Sequence, residues 1–136
     1  MKTERNFLVL CENFIVDEKG RASLINLYDI VFSESFPALH PTLKYVFNVR
    51  IFDSGNNKSL TFSFLLEDKS GKKLFEVKDS SAPVHPKMKI QNVGGVIDVI
   101  NTQFDKPQQY VAKLIIDEKT IAEHFLETRL VPQPEK

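Results

Sequence analysis

Apolar residues recur at every second position along this chain, and this period of two constrains the fold more than any other feature. The clearest run places five apolar side chains on one parity, at Leu43, Tyr45, Phe47, Val49 and Ile51. A second run, 60–66, repeats the pattern. Successive side chains of a strand point to opposite faces, so this alternation predicts strands that bury one face. No stretch of the sequence shows sustained helical spacing, and we therefore predict an all-β fold.

Polar turn segments divide the chain into seven to nine predicted strands. The run 6–16 ends at a turn, 17–20, in which Gly20 suits left-handed backbone. The run 22–32 is apolar on both parities and is predicted as a central strand. Many short strands in one domain predict an antiparallel sandwich or a barrel. Two long connections, 32–41 and 79–86, favour the two-sheet β-sandwich, of immunoglobulin-like type, because they suit crossings between sheets.

We predict a single domain, residues 1–136, in which the proline-bearing end 131–136 frays. Within it, the pair Gly94-Gly95 interrupts an apolar run. Met88 and Ile90 lie on one parity, and Ile97 and Val99 lie on the other. If all four face the core, the strand must absorb one extra residue, so we predict a β-bulge at the two glycines.

Several segments together resemble a family of short, uncharacterised bacterial proteins. The matching segments are Leu10-Cys11-Glu12, the turn 17–20, Phe36-Pro37, Val49-Arg50-Ile51 and the closing hairpin with Tyr110, Leu114, Ile116-Asp117 and Phe125. The resemblance implies an immunoglobulin-type sandwich. It implies no activity, no cofactor and no site residues.

Charge and cysteine content exclude several classes of protein. Lys and Arg number 18 and Asp and Glu number 18, so the net charge is zero. Nucleic-acid binders depend on a basic excess, and we expect no nucleic-acid partner. The single cysteine, Cys11, permits no intrachain disulfide, and we predict that it is a core residue. Apolar runs are too short for a signal peptide or a membrane span, so we expect a cytoplasmic protein without a membrane partner.

Residues suited to catalysis or metal binding are few and scattered. His40 and His85 would form a metal site with Asp79 only if their two His-Pro loops converged in space, which the sequence leaves open. Ser80-Ser81 lie near His85, but a triad depends on geometry that a loop does not supply. His124 is predicted to be a partly buried, hydrogen-bonded histidine. We predict no catalytic residue, no metal, no cofactor and no enzyme activity.

The strongest functional signal is an apolar excess on an outward face. If strands 45–52 and 61–68 pair as a hairpin, then Val46, Phe52 and Leu65 point away from the core, with Arg50 among them. These four residues form a predicted partner-binding patch. We therefore expect a non-catalytic intracellular protein-interaction or accessory module that binds a protein partner or itself. The alternative is a small-ligand or carbohydrate-binding sandwich that uses its end loops, and an enzyme is the least favoured reading.

Overall fold

The computed structural model describes residues 2–132, and throughout this part of the chain the regular structure is β. It contains nine strands and no helix, which confirms the predicted all-β class. The strands are β1 (Lys2–Val16), β2 (Ala22–Leu27), β3 (Ile30–Ser33), β4 (Ala38–Phe52), β5 (Ser59–Asp68), β6 (Lys73–Pro83), β7 (Ile90–Phe104), β8 (Gln109–Ile116) and β9 (Lys119–Leu130).

The strands form two sheets. The four-stranded sheet has the order β2-β1-β4-β7, and the five-stranded sheet has the order β3-β9-β8-β5-β6. The five-stranded sheet curls like half of a barrel. Strand β3 runs parallel to β9, and the other pairs are antiparallel.

The core lies between the two sheets and is built from the alternating positions that the sequence predicts. Tyr45 and Val49 of β4 are fully buried, as are Phe64 and Leu66 of β5. The rings of Tyr45 and Phe64 lie 5.1 Å apart, measured between centroids. Burying apolar side chains of this size is the dominant favourable contribution to folding. The inward faces of β4 and β5 therefore hold the sheets together.

The predicted hairpin between 45–52 and 61–68 is wrong. Strand β4 lies between β1 and β7, whereas β5 lies between β6 and β8 in the other sheet. The two strands face each other across the core, and the polar segment 53–58 crosses between the sheets. Alternation shows that each strand buries one face. It does not show whether two such strands pair edge to edge or pack face to face, and here they pack face to face.

The predicted bulge at Gly94-Gly95 is also wrong. The register of β7 against β4 is constant from Gln91 opposite Ile51 through to Val99 opposite Leu43. Met88 and Ile90, which the prediction placed in the core, are exposed. From Gln91 to Val99 the inward side of β7 is therefore a single parity, and the glycines occupy a regular stretch of strand.

The run 22–32 does not form one central strand. It breaks at Tyr28-Asp29 into β2 and β3, which are edge strands of different sheets. The Tyr28 N–H donates to Leu10 O at 3.1 Å, and the Glu127 N–H donates to Asp29 O at 2.8 Å. The chain thus passes from β1 to β9 within two residues. Just before this crossing, Asn26 has a left-handed backbone with φ of 54°.

Ser54 and Gln91 tie together the loops at one end of the fold. The Ser54 hydroxyl donates to His85 O at 2.8 Å and accepts the Met88 N–H at 3.1 Å. The Gln91 side chain accepts the His85 N–H at 2.9 Å and donates to His85 O at 2.7 Å. Both side chains are buried. Their hydrogen bonds therefore satisfy loop backbone N–H and C=O groups that would otherwise lose their hydrogen bonds to water and gain none in return.

The end of the chain is described only in part. The Val131 N–H donates to Ser33 O at 2.9 Å, just after β9 ends. Of the tail predicted to fray, residues 133–136 lie outside the described residues. Within residues 2–132 there is no helix with the length and hydrophobicity needed to cross a membrane.

Candidate functional site

The hairpin of β1 and β2 continues past the point where β1 leaves β4. Strand β1 pairs with β4 only as far as Cys11, opposite Lys44. Its pairing with β2 begins at Cys11, opposite Leu27, and continues to Val16, opposite Ala22. Residues 12–27 therefore form a two-stranded ribbon that has no further strand of the sheet beside it. We term this ribbon the arm.

A tight turn closes the arm and fixes its register. The Gly20 N–H donates to Asp17 O at 3.0 Å, and the Asp17 N–H donates to Arg21 O at 2.9 Å. Gly20 has a φ of 76°, as the sequence predicts. Hydrogen bonds from the Arg21 backbone N–H and then from its guanidinium hold the pKa of the Asp17 carboxyl below its usual value.

The arm carries six large apolar side chains that do not contribute to the described core. They are Phe14, Ile15, Val16, Leu24, Ile25 and Leu27. Phe14 lies opposite Leu24 across the ribbon. Ile15 and Leu27 are 49% and 60% exposed. An isolated two-stranded hairpin is marginally stable in water, and the arm leaves this apolar surface outside the described core.

A groove lies at the base of the arm, where the chain crosses between the sheets. Its volume is about 450 Å³. The lining comes from β1, the crossing, β3 and the start of β4, and comprises Cys11, Glu12, Tyr28, Ile30, Val31, Phe32, His40, Thr42 and Lys44. The arm and the groove are therefore adjacent and share Glu12.

Burial favours the uncharged form of three titratable groups in the groove. It raises the pKa of the Cys11 thiol and of the Tyr28 phenol, and it lowers the pKa of His40. The two remaining charged groups each have a partner. The Lys44 ammonium lies 3.0 Å from Asp98, and the Glu12 carboxylate accepts a hydrogen bond from the Asn26 amide at 2.9 Å. The groove thus suits uncharged rather than ionic groups.

The structure does not assemble the predicted patch. Val46, Arg50 and Phe52 lie on the outer face of the four-stranded sheet, because their chain neighbours face the core. Leu65 lies in the other sheet, between Lys113 and Glu76 of the adjacent strands. A single exposed patch of these four residues is therefore wrong, since it depended on the hairpin.

Val46 also differs from the prediction in its exposure. It is only 5% exposed, although it faces outward, and it lies between Val9 of β1 and Val96 of β7. Val46 is covered because β4 has a neighbouring strand on each side. The predicted hairpin supplied a neighbouring strand on one side alone. A partner-binding role for the four residues remains a prediction.

The two histidines of the hypothetical metal site lie far apart. His40 lies opposite Thr102 near the start of β4, whereas His85 is bonded to Gln91, opposite Ile51 near the end of β4. At about 3.3 Å per residue, these positions are separated by about 35 Å along the strand. Among the described residues, no group of three His, Cys, Asp or Glu side chains could hold a metal ion.

The other histidine hypotheses have mixed outcomes. Ser80 and Ser81 pair with β5 within β6, while His85 lies beyond the strand and is held through its backbone, so they form no triad. His124 is half-buried, as predicted, with its ring 5.6 Å from that of Tyr45, and burial lowers its pKa. Its predicted hydrogen bonding is not found at Nδ1, which has no partner within residues 2–132.

Sequence reasoning missed both the arm and the groove. The signal for the arm was present, because 22–27 is apolar on both parities. That pattern was interpreted as two-sided burial in a sheet centre. No local motif marks the groove, since its lining is drawn from three strands and a crossing.

Comparison with known proteins places the chain in a family. A search of the curated proteins finds no match. A family model described as a family of unknown function (DUF6941) matches residues 6–128. The match includes the arm, the groove and residues of all nine strands. The chain therefore belongs to the DUF6941 family.

Proposed function

We propose that this chain is a non-catalytic protein-interaction module of immunoglobulin-like sandwich type, and that its partner binds the arm. The observation that carries the proposal is the set of six apolar side chains on the arm that lie outside the core. Two facing sheets with mainly antiparallel pairing, and a crossing between β4 and β5, support the sandwich type.

The composition of the arm is that of a contact surface. Its apolar centre is flanked by charged residues at the tip, 17–21, as protein interfaces commonly have an apolar centre and a polar rim. Burying a side chain such as Leu27 against a partner contributes about 1.5–3 kcal/mol. A few such side chains can carry most of the binding free energy.

The groove supports the absence of catalysis. A cysteine nucleophile acts as its thiolate, and Cys11 is 1% exposed with a raised pKa. Burial lowers the pKa of His40 in the same groove, which disfavours the imidazolium that would stabilise a thiolate. The Lys44 ammonium lowers the pKa of Cys11, but the opposite effect of burial is larger. These are the conditions of an inert cysteine rather than of a catalytic one.

Substitution of two exposed apolar residues of the arm tests the proposal. Ile15→Ser combined with Leu27→Ser removes two side chains that are 49% and 60% exposed. Ile90→Ser combined with Ile100→Ser is a matched control on β7 of the same sheet, at 53% and 58% exposure. Each purified variant is cross-linked in a lysate of the source organism, and captured proteins are quantified by mass spectrometry.

We expect the wild type and the β7 control to capture the same protein. We expect the arm variant to capture roughly tenfold less, the loss that corresponds to about 1.4 kcal/mol. Equal capture by all three proteins would contradict the proposal. So would a wild type that captures neither another protein nor a second copy of itself.

The groove favours a second candidate function, the binding of a small uncharged ligand. Its volume of about 450 Å³ falls within the range of small-molecule sites, about 300–1,000 Å³. The end loops of the predicted alternative are less suited, since Ser54 and Gln91 bond to loop backbone. A thermal-shift screen with sugars and other neutral compounds tests this function. A ligand that stabilises the wild type but not Thr42→Trp, which fills the groove, would support it.

A further inference from the structure

We propose that the partner of the arm is a second copy of this chain, and that β2 of each copy pairs antiparallel with β2 of the other across a two-fold axis. This inference rests on the proposed function of the arm and names its occupant. Such pairing would join the two four-stranded sheets into one continuous sheet.

The edge formed by β2 lacks the features that usually prevent strand addition. β2 has the sequence Ala-Ser-Leu-Ile-Asn-Leu, without charge or proline, and its outer side has no strand neighbour among the described residues. By contrast, the edge strand β6 carries Lys73, Glu76, Lys78, Asp79 and Pro83. The opposite edge of the four-stranded sheet, β7, lies beside β6. The remaining edge strand, β3, also lacks charge and proline, but it is only four residues long. Charge, proline and very short strands are the usual protection of edges, so β2 is the open one.

Backbone geometry specifies how a second strand would pair. The hydrogen bond from Asp17 N–H to Arg21 O begins the β1–β2 ladder. Because bonded positions alternate in an antiparallel pair, Ser23 bonds toward β1, whereas Ala22 and Leu24 direct their backbone groups to the open side. Pairing Ala22 with Leu24 of the second copy satisfies both residues in each copy. This register leaves out Asn26, whose left-handed backbone interrupts the strand.

The side chains near the proposed axis suit a second copy. Ser23 lies on the axis and Ala22 beside it, and both are small and exposed. The tip 17–21 carries two acidic and two basic side chains, with the Arg21 guanidinium 2.6 Å from the Asp17 carboxylate, so it presents no net charge to a second copy. The whole chain has no net charge, so two copies do not repel each other.

Disulfide trapping tests the register directly. Ser23→Cys places a thiol on the axis, where it faces its own copy in a non-hydrogen-bonded pair, a spacing that a disulfide can span. Ser81→Cys is the control, an exposed position on the protected edge strand β6. The native Cys11 is buried and does not compete. We expect Ser23→Cys to form disulfide-linked dimers under mild oxidation at least roughly tenfold faster than Ser81→Cys.

Sedimentation of the unmodified protein and of Ala22→Pro completes the test. Proline removes an outward N–H without removing a hydrogen bond to β1. We expect a wild-type dimer that dissociates on dilution and an Ala22→Pro monomer with native β-sheet circular dichroism. If Ala22→Pro does not fold, the rates of disulfide trapping of Ser23→Cys and Ser81→Cys decide whether β2 pairs with β2 of a second copy.

Two outcomes would overturn the inference. One is a wild type that stays monomeric at high concentration. The other is a dimer in which Ser23→Cys is trapped no faster than Ser81→Cys. If the inference fails but the arm variant still loses a different captured protein, the proposed function survives. If the arm variant loses nothing, the proposed function fails as well.

Discussion

Gly95 makes room for an aromatic ring, and this contact explains a glycine in the middle of a regular strand. Gly95 lies opposite Phe47, and a Cβ atom at Gly95 would come within 2.8 Å of two atoms of the Phe47 ring. Phe47 has little room to move, since it is 2% exposed and its ring centroid lies 4.9 Å from that of Phe62. At this position the side chain is constrained by close packing rather than by backbone conformation.

We predict that Gly95→Ala lowers the free energy of unfolding by about 1–3 kcal/mol, the usual cost of overpacking a core. Phe47→Leu removes the ring that the new methyl group would strike. The double variant should therefore be more stable than the sum of the single losses implies, by about 0.5–3 kcal/mol. Denaturant unfolding of the four proteins measures this coupling. Additive losses would show that the ring is not what excludes a side chain at Gly95.

Two hairpins of the fold close with the same turn. In the β5–β6 hairpin, the Gly71 N–H donates to Asp68 O and the Asp68 N–H donates to Lys72 O, the arrangement already seen from Asp17 to Arg21. The Asp68 carboxylate accepts hydrogen bonds from the Ser70 hydroxyl at 2.7 Å, the Ser70 N–H at 2.8 Å and the Lys72 N–H at 2.9 Å. The first of these contributes most to holding the pKa of the Asp68 carboxyl below its usual value.

This lowered pKa makes the turn sensitive to acid. An unfolded aspartate has a pKa of about 3.9. Because the folded pKa is lower, the stabilisation is present above the unfolded pKa and is lost as the pH falls through the folded pKa. Asp68→Asn keeps a hydrogen-bond acceptor but does not titrate. We predict that acidification from about pH 7 to about pH 3 destabilises Asp68→Asn less than the wild type, as measured by urea unfolding.

A matched substitution in another turn serves as the control for this prediction. Asp117→Asn removes one carboxylate from the β8–β9 turn, where the described residues show no hydrogen bond to the Asp117 side chain. Comparing the two variants separates the effect of the Asp68 turn hydrogen bonds from the effect of losing one carboxylate. If Asp68→Asn and Asp117→Asn respond alike, general charge rather than the turn hydrogen bonds controls the pH dependence.

At the scale of the whole molecule, the alternation of apolar residues predicts which positions are buried but not which strands pair. The sequence predicted the inward positions of β4 and β5, from Leu43 to Ile51 and from Leu60 to Leu66. It could do so because each buried position of these two strands is occupied by an apolar residue. Strand pairing was not, because partners such as Tyr45 and Ile97 lie far apart in the sequence. The error in pairing then produced the error in the patch.

The arm was missed for a related reason. Apolar residues on both parities of 22–27 are compatible with a strand covered on both faces by the protein itself. They are equally compatible with a strand that is covered by another molecule. Local sequence does not distinguish these two cases, since both require apolar side chains. The fold excludes the first case, because β2 is at an edge and its side chains lie outside the described core.

The central claim is that the apolar side chains of the arm serve a partner rather than the stability of the chain. The most direct test is the free energy of unfolding of Ile15→Ser/Leu27→Ser in dilute solution, where association is negligible. We predict a loss of about 1 kcal/mol or less, the range of two surface substitutions. Leu66→Ala, a fully buried comparison, should lose about 2–5 kcal/mol. A loss in the arm variant as large as that of Leu66→Ala would contradict the account, because it would make the arm part of the core.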